Sequence, residues 1–195
     1  MVRYDAATAL IVIDVQNDFA APEGSLHVPD AEQILPLVNR EIERAAKAGA
    51  AVLYTRDWHP PATPHFARDG GTWPVHCVAG TWGADFHPRL VHHGNLEIRK
   101  GTGGEDGYSG FSIRDPESGE TAATPLAALL AERGIERLVV VGLATDYCVK
   151  ETVLDARRLG FPVTVLRGGI RAVNLAPGDG DRALEEMQGA GAVLE

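Results

Sequence analysis

Four apolar, strand-like runs in this chain each end in residues that can do chemistry. Ala9-Leu10-Ile11-Val12-Ile13 ends in Asp14, and Ala51-Val52-Leu53-Tyr54-Thr55 leads into Arg56-Asp57-Trp58-His59. Leu96-Glu97-Ile98 ends in Arg99-Lys100, and Leu138-Val139-Val140-Val141-Gly142 leads into Ala144-Thr145-Asp146-Tyr147-Cys148. Amphipathic segments alternate with such runs, which is the α/β pattern. Near-continuous apolar strands call for a mainly parallel sheet, here of about six strands, covered on both faces. In open sheets of that kind ligands bind outside the carboxyl ends of the strands. The four loops are therefore expected to converge on one crevice.

The helices are readable from their stripes and stops. Leu37, Val38, Ile42, Ala45 and Ala46 form one stripe, with Pro36 in the first turn and Gly49 just past the end. Thr124-Pro125 is expected to cap a second helix, buried through Leu126, Leu129 and Leu130 and closed by Gly134. Cys148, Thr152, Ala156 and Leu159 fall near one face of a third helix that Gly160 stops. A strand at Val163-Thr164-Val165-Leu166, a helix around Ala183, Leu184 and Met187, and Ala192-Val193-Leu194 complete the order. Three long polar stretches interrupt it, at 20–30, 60–88 and 101–121. Loops of that length in a compact domain are usually functional or mobile.

Composition narrows the classes. A chain of 195 residues, 45% hydrophobic and 23% charged, is expected to form one domain over residues 1–195. A net charge of −9 without a long basic run argues against nucleic acid as a partner. No stretch approaches the roughly 20 apolar residues of a membrane span. The first residues carry no signal-like apolar region, so the expected compartment is the cytoplasm. Cys77 and Cys148 lie in different motifs and make no disulfide framework.

Cys148 stands near the start of a helix, where partial positive charge and free N–H groups lower a thiol pKa and can hold an oxyanion. Asp14 and Lys100, on other strand ends, supply a base and a cation that would keep the thiolate charged. Each is a weak signal alone; together they read as a triad. A second cluster, Asp57-x-His59 with His65 and His76, offers one carboxylate and three imidazoles, a set suited to zinc, iron or manganese. His27, His87, His92 and His93 are read as structural, as is Cys77. No glycine-rich dinucleotide loop follows a strand, which argues against a bound nicotinamide dinucleotide.

These motifs, in this order, resemble the nicotinamidase (pyrazinamidase) family within the isochorismatase-like cysteine hydrolases. The carriers are Asp14-Val15-Gln16-Asn17-Asp18-Phe19, Asp57-Trp58-His59-Pro60 and Trp73-Pro74-Val75-His76-Cys77-Val78-Ala79-Gly80-Thr81. Lys100-Gly101, Tyr108-Ser109-Gly110-Phe111 and Gly142-Leu143-Ala144-Thr145-Asp146-Tyr147-Cys148-Val149 complete the set. The resemblance implies a Rossmann-like three-layer α/β/α fold with a triad of Asp14, Lys100 and Cys148. It further implies one divalent metal, zinc ahead of iron or manganese, on Asp57, His59 and His76, with His65 joining in only some members. A cis peptide between Leu143 and Ala144, and an oxyanion hole from the N–H groups of Ala144 and Cys148, come from the same source. So does a ring pocket lined by Phe19, Trp73 and Tyr108. The implied activity is hydrolysis of nicotinamide to nicotinate and ammonia through a thioester, with pyrazinamide as a further substrate. The segment from Arg114 to Thr121 inherits no role, and self-association is left open.

Three other readings compete: a metal-bound water as attacking group with Cys148 incidental, a non-catalytic binding domain, and an isochorismatase-type vinyl-ether hydrolase that does not need the thiol. A related isochorismatase-like amidohydrolase acting on another small substrate is a further alternative. The resemblance implies that isochorismatases and N-carbamoyl amide hydrolases generally lack this metal set, so its presence favours nicotinamidase over both branches.

Overall fold

The computed structural model describes residues 2–94 and 96–195. In chain order its elements are β1 (Thr8–Ile13), α1 (Asn17–Ala20), α2 (Leu35–Lys47), β2 (Ala51–Asp57), β3 (Glu97–Lys100), β4 (Ser112–Arg114), β5 (Thr121–Ala123) and α3 (Leu126–Glu132). They continue with β6 (Arg137–Leu143), a π-type turn at Thr145–Val149, α4 (Lys150–Arg158), β7 (Val163–Arg171), α5 (Asp179–Gly189) and β8 (Val193–Leu194).

Six strands form one sheet in the order β3-β2-β1-β6-β7-β8, and every pairing in it is parallel. The alternation of side chains along β1 explains the layering. Leu10 and Val12 enter a core shared with Leu35, Val38 and Ile42 of α2. Ala9, Ile11 and Ile13 enter the opposite core, against Leu126 and Leu130 of α3, Val153 and Ala156 of α4 and Met187 of α5. Both faces of β1 are thus fully buried, as its unbroken apolar run requires. Strand order reverses between β1 and β6, so the crevice outside their carboxyl ends is the switch point where α/β sheets bind ligands.

Local signals behave as expected, with three exceptions. Gly49 and Gly160 close α2 and α4 in left-handed conformations, and the Thr124 hydroxyl accepts the Leu126 N–H at 3.2 Å to start α3. Ala46 and Leu159, placed on buried stripes by spacing, are exposed instead. Ala46 lies one step round the helix from buried Ala45, and Leu159 lies beyond the last turn of α4. The polar excursion 114–121 is a β-hairpin: β4 and β5 pair antiparallel, with Arg114 opposite Thr121. No helix among the described residues is long and apolar enough to cross a membrane.

Gly142 marks how tightly β1 and β6 meet at the switch point. Its φ is 120°, and a Cβ there would lie 2.1 Å from the Ile13 carbonyl oxygen. Gly142→Ala combines a left-handed backbone with a main-chain clash, so it is expected to destabilise the fold by more than about 2 kcal/mol. Urea unfolding measures this, and an unchanged midpoint would show that the two strands can separate locally without cost.

Candidate active site

Lys100 organises the strand ends. In the β2–β3 register it stands opposite Asp57, and Asp14 ends the next strand over. Its Nζ donates to Asp14 Oδ2 at 2.6 Å and to the carbonyls of Gly107 and Tyr108, the latter at 3.3 Å, and lies 2.9 Å from Asp57 Oδ1. All three charged side chains are buried. Burial works against the lysine's charge, but the two carboxylates outweigh it and hold its pKa well above the ordinary value. For Asp14 burial dominates: its carboxyl is pushed up to about 6 despite the pull of Lys100. Burial also raises Asp57, yet Lys100 and the neighbouring imidazoles overcome it and hold that carboxyl far below the usual range. Two carboxylates beside one cation thus end with opposite proton affinities.

Asp14 adopts a left-handed φ of 48° just after β1, which turns its side chain towards the site. Thr55 Oγ1 donates to Asp14 Oδ1 at 2.5 Å, fixing the carboxylate from β2. Cys148 approaches from β6 through the turn after the cis Leu143–Ala144 peptide, which the structure contains where the resemblance places it. Acceptor atoms of Asp14 and Asp57 and the Cys148 sulfur lie within 4.8 Å of one another.

The thiol differs from expectation in two respects. Cys148 is the fourth residue of the π-type turn that precedes α4, not a residue of the first turn of a regular helix. Burial pushes its pKa well above the ordinary thiol value; Lys100 pulls the other way, and Asp14 and Asp57 add to the rise. The lysine charge is already engaged by two carboxylates. The resting pair is therefore a neutral thiol beside a carboxylate, with the thiolate formed as Asp14 takes the proton.

The second cluster lies on the other side of Asp57. Ligand atoms of His59, His65 and His76 lie within 4.8 Å of one another, and all three rings are buried. Asp57 Oδ2 is 3.9 Å from Nε2 of both His59 and His76. His76 Nδ1 faces the Pro74 carbonyl at 2.7 Å, and burial brings this imidazole down to about 4, so it stays neutral and able to ligate. Both ring nitrogens of His59 are buried without a hydrogen-bond partner among the described residues. Such orphaned nitrogens beside two more imidazoles and a carboxylate fit a divalent cation. The backbone is shaped to admit the ring: a Cβ at Gly101 would stand 2.4 Å from His59 Cε1.

Both clusters contribute to the walls of one cavity, which Phe19, Trp73 and Tyr108 line together with Asp57, His65, His76 and Cys148. Trp73 Nε1 donates to the Tyr108 hydroxyl at 2.8 Å, locking two walls together. Sequence reading missed Leu26, Val28, Tyr147 and Val173, which also line it, as does Gly107. Tyr147 alone carried a signal, its place beside Cys148; the other three are ordinary apolar loop residues. Gln16 was also missed. Its Oε1 accepts the Asp57 N–H at 2.8 Å while its Nε2 donates to the Asp57 carbonyl at 2.8 Å, imitating a strand partner.

Residues 8–195 match the model of the isochorismatase domain. The chain belongs to the isochorismatase family. It is 39% identical to the nicotinamidase of Escherichia coli, over 95% of this chain and 93% of that protein. A pyrazinamidase of Pyrococcus horikoshii, solved in complex with zinc, is 40% identical with a TM-score of 0.85, covering 97% of this chain and 98% of that one. PnC1 of L. infantum, solved in complex with nicotinate, is 37% identical with a TM-score of 0.88, covering 100% of this chain and 95% of that one. The six-stranded parallel sheet is the architecture these relatives share.

The proton affinities generate a test on the metal-free protein. With its carboxyl at about 6, Asp14 is ionised above that pH and cannot accept the thiol proton below it. Alkylation of Cys148 by iodoacetamide should therefore slow as pH falls through about 6. Asp14→Asn should lose that inflection and react at least about 10²-fold more slowly near neutral pH. An Asp14→Asn profile superimposable on the original would detach Asp14 from the thiol.

Proposed function

We propose that this chain is a nicotinamidase that hydrolyses nicotinamide to nicotinate and ammonia, and accepts pyrazinamide as well. The observation carrying this reading is that Cys148, which stands with the buried Asp14–Lys100 pair, lines the same aromatic cavity as His65 and His76 of the three-imidazole cluster. Its position within the family, beside nicotinamidases and a pyrazinamidase, supports the same substrate class.

The mechanism follows from what each residue can do. Phe19, Trp73 and Tyr108 hold the flat ring and exclude water. Asp14 removes the thiol proton while Lys100 offsets the charge that moves onto sulfur. The Cys148 sulfur forms a bond to the carboxamide carbon, and the carbonyl π pair moves onto oxygen. The N–H groups of Ala144 and Cys148 are assigned to that oxyanion. As the carbonyl re-forms, the C–N bond breaks and Asp14 returns its proton to nitrogen, releasing ammonia and leaving a thioester. Asp14 then takes a proton from water as its oxygen attacks the thioester. Collapse expels the sulfur, which recovers the proton, and the acid departs. A divalent cation on Asp57, His59, His65 and His76, zinc by analogy with the Pyrococcus horikoshii enzyme, would supply an electrophilic anchor for a ring nitrogen. Two free, buried cysteines suit a reducing compartment, and we place the reaction in the cytoplasm.

Ammonia release from nicotinamide by the purified protein tests this directly. Cys148→Ala should lower kcat by at least about 10⁴-fold, since it removes the nucleophile. It should leave nicotinamide binding measurable by calorimetry. Residual turnover within tenfold of the unaltered chain would defeat the covalent route and favour attack by water.

Ring recognition gives a second test. Benzamide keeps the amide and nearly the shape but lacks a ring nitrogen, and sites built to bond a polar group reject analogues without it by on the order of 10⁴-fold. Its kcat/KM should fall by that order below those of nicotinamide and pyrazinamide. Similar values for all three would remove ring-nitrogen recognition from the site.

A further inference from the structure

The three imidazoles of the metal site are not held alike. The ring nitrogens of His59 have no hydrogen-bond partner among the described residues, and His76 Nδ1 faces the Pro74 carbonyl. Asp57 stands 3.9 Å from both of those rings, whereas His65 Nδ1 lies only 2.6 Å from Asp106 Oδ1, a short, charge-assisted separation. Asp106 is buried, and it lies in the loop between β3 and β4, outside the triad and outside the cavity lining. A carboxylate can only accept, so Nδ1 is the proton-bearing nitrogen and Nε2 keeps its lone pair. The His65 ring is stacked on His59, with centroids 4.6 Å apart and planes 17° apart.

We propose that Asp106 is a positioning residue for the metal site, fixing the tautomer and orientation of His65 so that a third imidazole joins His59 and His76. Carboxylates that receive the outer N–H of a ligating histidine act in this way at metal centres. The proposal rests on the metal reading above.

It also gives the polar excursion a purpose. The Asp106 N–H donates to the Arg114 carbonyl at 2.7 Å, and the Arg114 N–H donates back to the Asp106 carbonyl at 3.1 Å. Arg114 ends β4, so the β4–β5 hairpin grips the main chain of Asp106 from behind. The Arg114 guanidinium, 4.0 Å from Asp106 Oδ2 and exposed, adds little to that grip. The hairpin thus supports Asp106 through its main chain.

A mutant cycle on zinc affinity tests the idea without using turnover. Zinc binding to the metal-free chain, measured by competition with a chromogenic chelator, is compared in the unaltered protein, Asp106→Ala, Asp106→Asn, His65→Ala and the Asp106→Ala/His65→Ala double variant. Asp106→Ala should weaken zinc by about 10- to 100-fold, and Asp106→Asn by less because it keeps an acceptor. In the His65→Ala background, Asp106→Ala should change affinity by no more than about twofold, because the residue acts through that ring. Unchanged affinity in Asp106→Ala, or an undiminished loss when His65 is already gone, would overturn the proposal. If Asp106→Ala does not fold, Asp106→Asn carried through the same cycle decides between those outcomes. Failure of the unaltered chain to bind zinc would instead remove the metal reading itself, and this proposal with it.

Discussion

A single buried ammonium holds the site together. Lys100 comes from β3, an edge strand of four residues, and reaches two carboxylates on the next two strand ends. Charges of that kind are tolerated away from water only when paired and hydrogen-bonded, and removing one partner leaves the rest uncompensated at a cost of about 3–5 kcal/mol. The Gly107 and Tyr108 carbonyls use further protons of the same group, which ties the start of the 107–111 loop to Asp14 and Asp57. The geometry of the strand ends and their local stability are therefore one network. The lysine cannot move towards the thiol without abandoning a carboxylate.

Around that network the loops are pinned by side chains that imitate main chain. Gln16 clamps Asp57 as a strand neighbour would, and a third bond from its Nε2 to the Ala84 carbonyl at 3.0 Å holds the loop beyond the imidazoles. Asp18 accepts the Cys77 N–H at 2.7 Å and the Ser25 N–H at 3.1 Å, joining the segment that carries Leu26 and Val28 to the one that carries His76. Arg56 donates to the Ala84 carbonyl through Nε at 3.0 Å and lies over the rings of Trp58 and Phe86. Long loops with few apolar anchors gain definition from such bonds, because each satisfies a buried polar group that water cannot reach.

Much of this was legible in the residues. The apolar runs that end in Asp14, Asp57, Lys100 and Gly142 define strands whose carboxyl ends must meet, and in a parallel sheet they do meet. Phe19, Trp73 and Tyr108 could be placed because aromatic residues in those motifs carry the family resemblance. Other features depend on the third dimension. Leu26, Val28 and Val173 face the cavity from loops whose path no local period encodes. The proton affinity of Cys148 is decided by how completely it is buried and by how Lys100 divides its charge, neither of which a motif states. Asp106 looks like an ordinary loop acid, and only its distance from His65 separates it from its neighbours. The hairpin at 112–123 carries no periodic signal, because its strands are three residues each and bury none of their side chains.

The closeness of Gly101 to His59 has a consequence for how this protein tolerates change. The imidazole is seated against bare backbone, so the strand end after Lys100 works as a mould and any side chain there would displace the ring. Gln16 behind Asp57 and Asp18 behind Cys77 are moulds of the same kind, made of side chain. The positions that shape the site therefore include Gly101, Gln16 and Asp18, the first of them far from the other two in sequence. Loss-of-function substitutions here would trace the scaffolding of the pocket more often than the pocket itself.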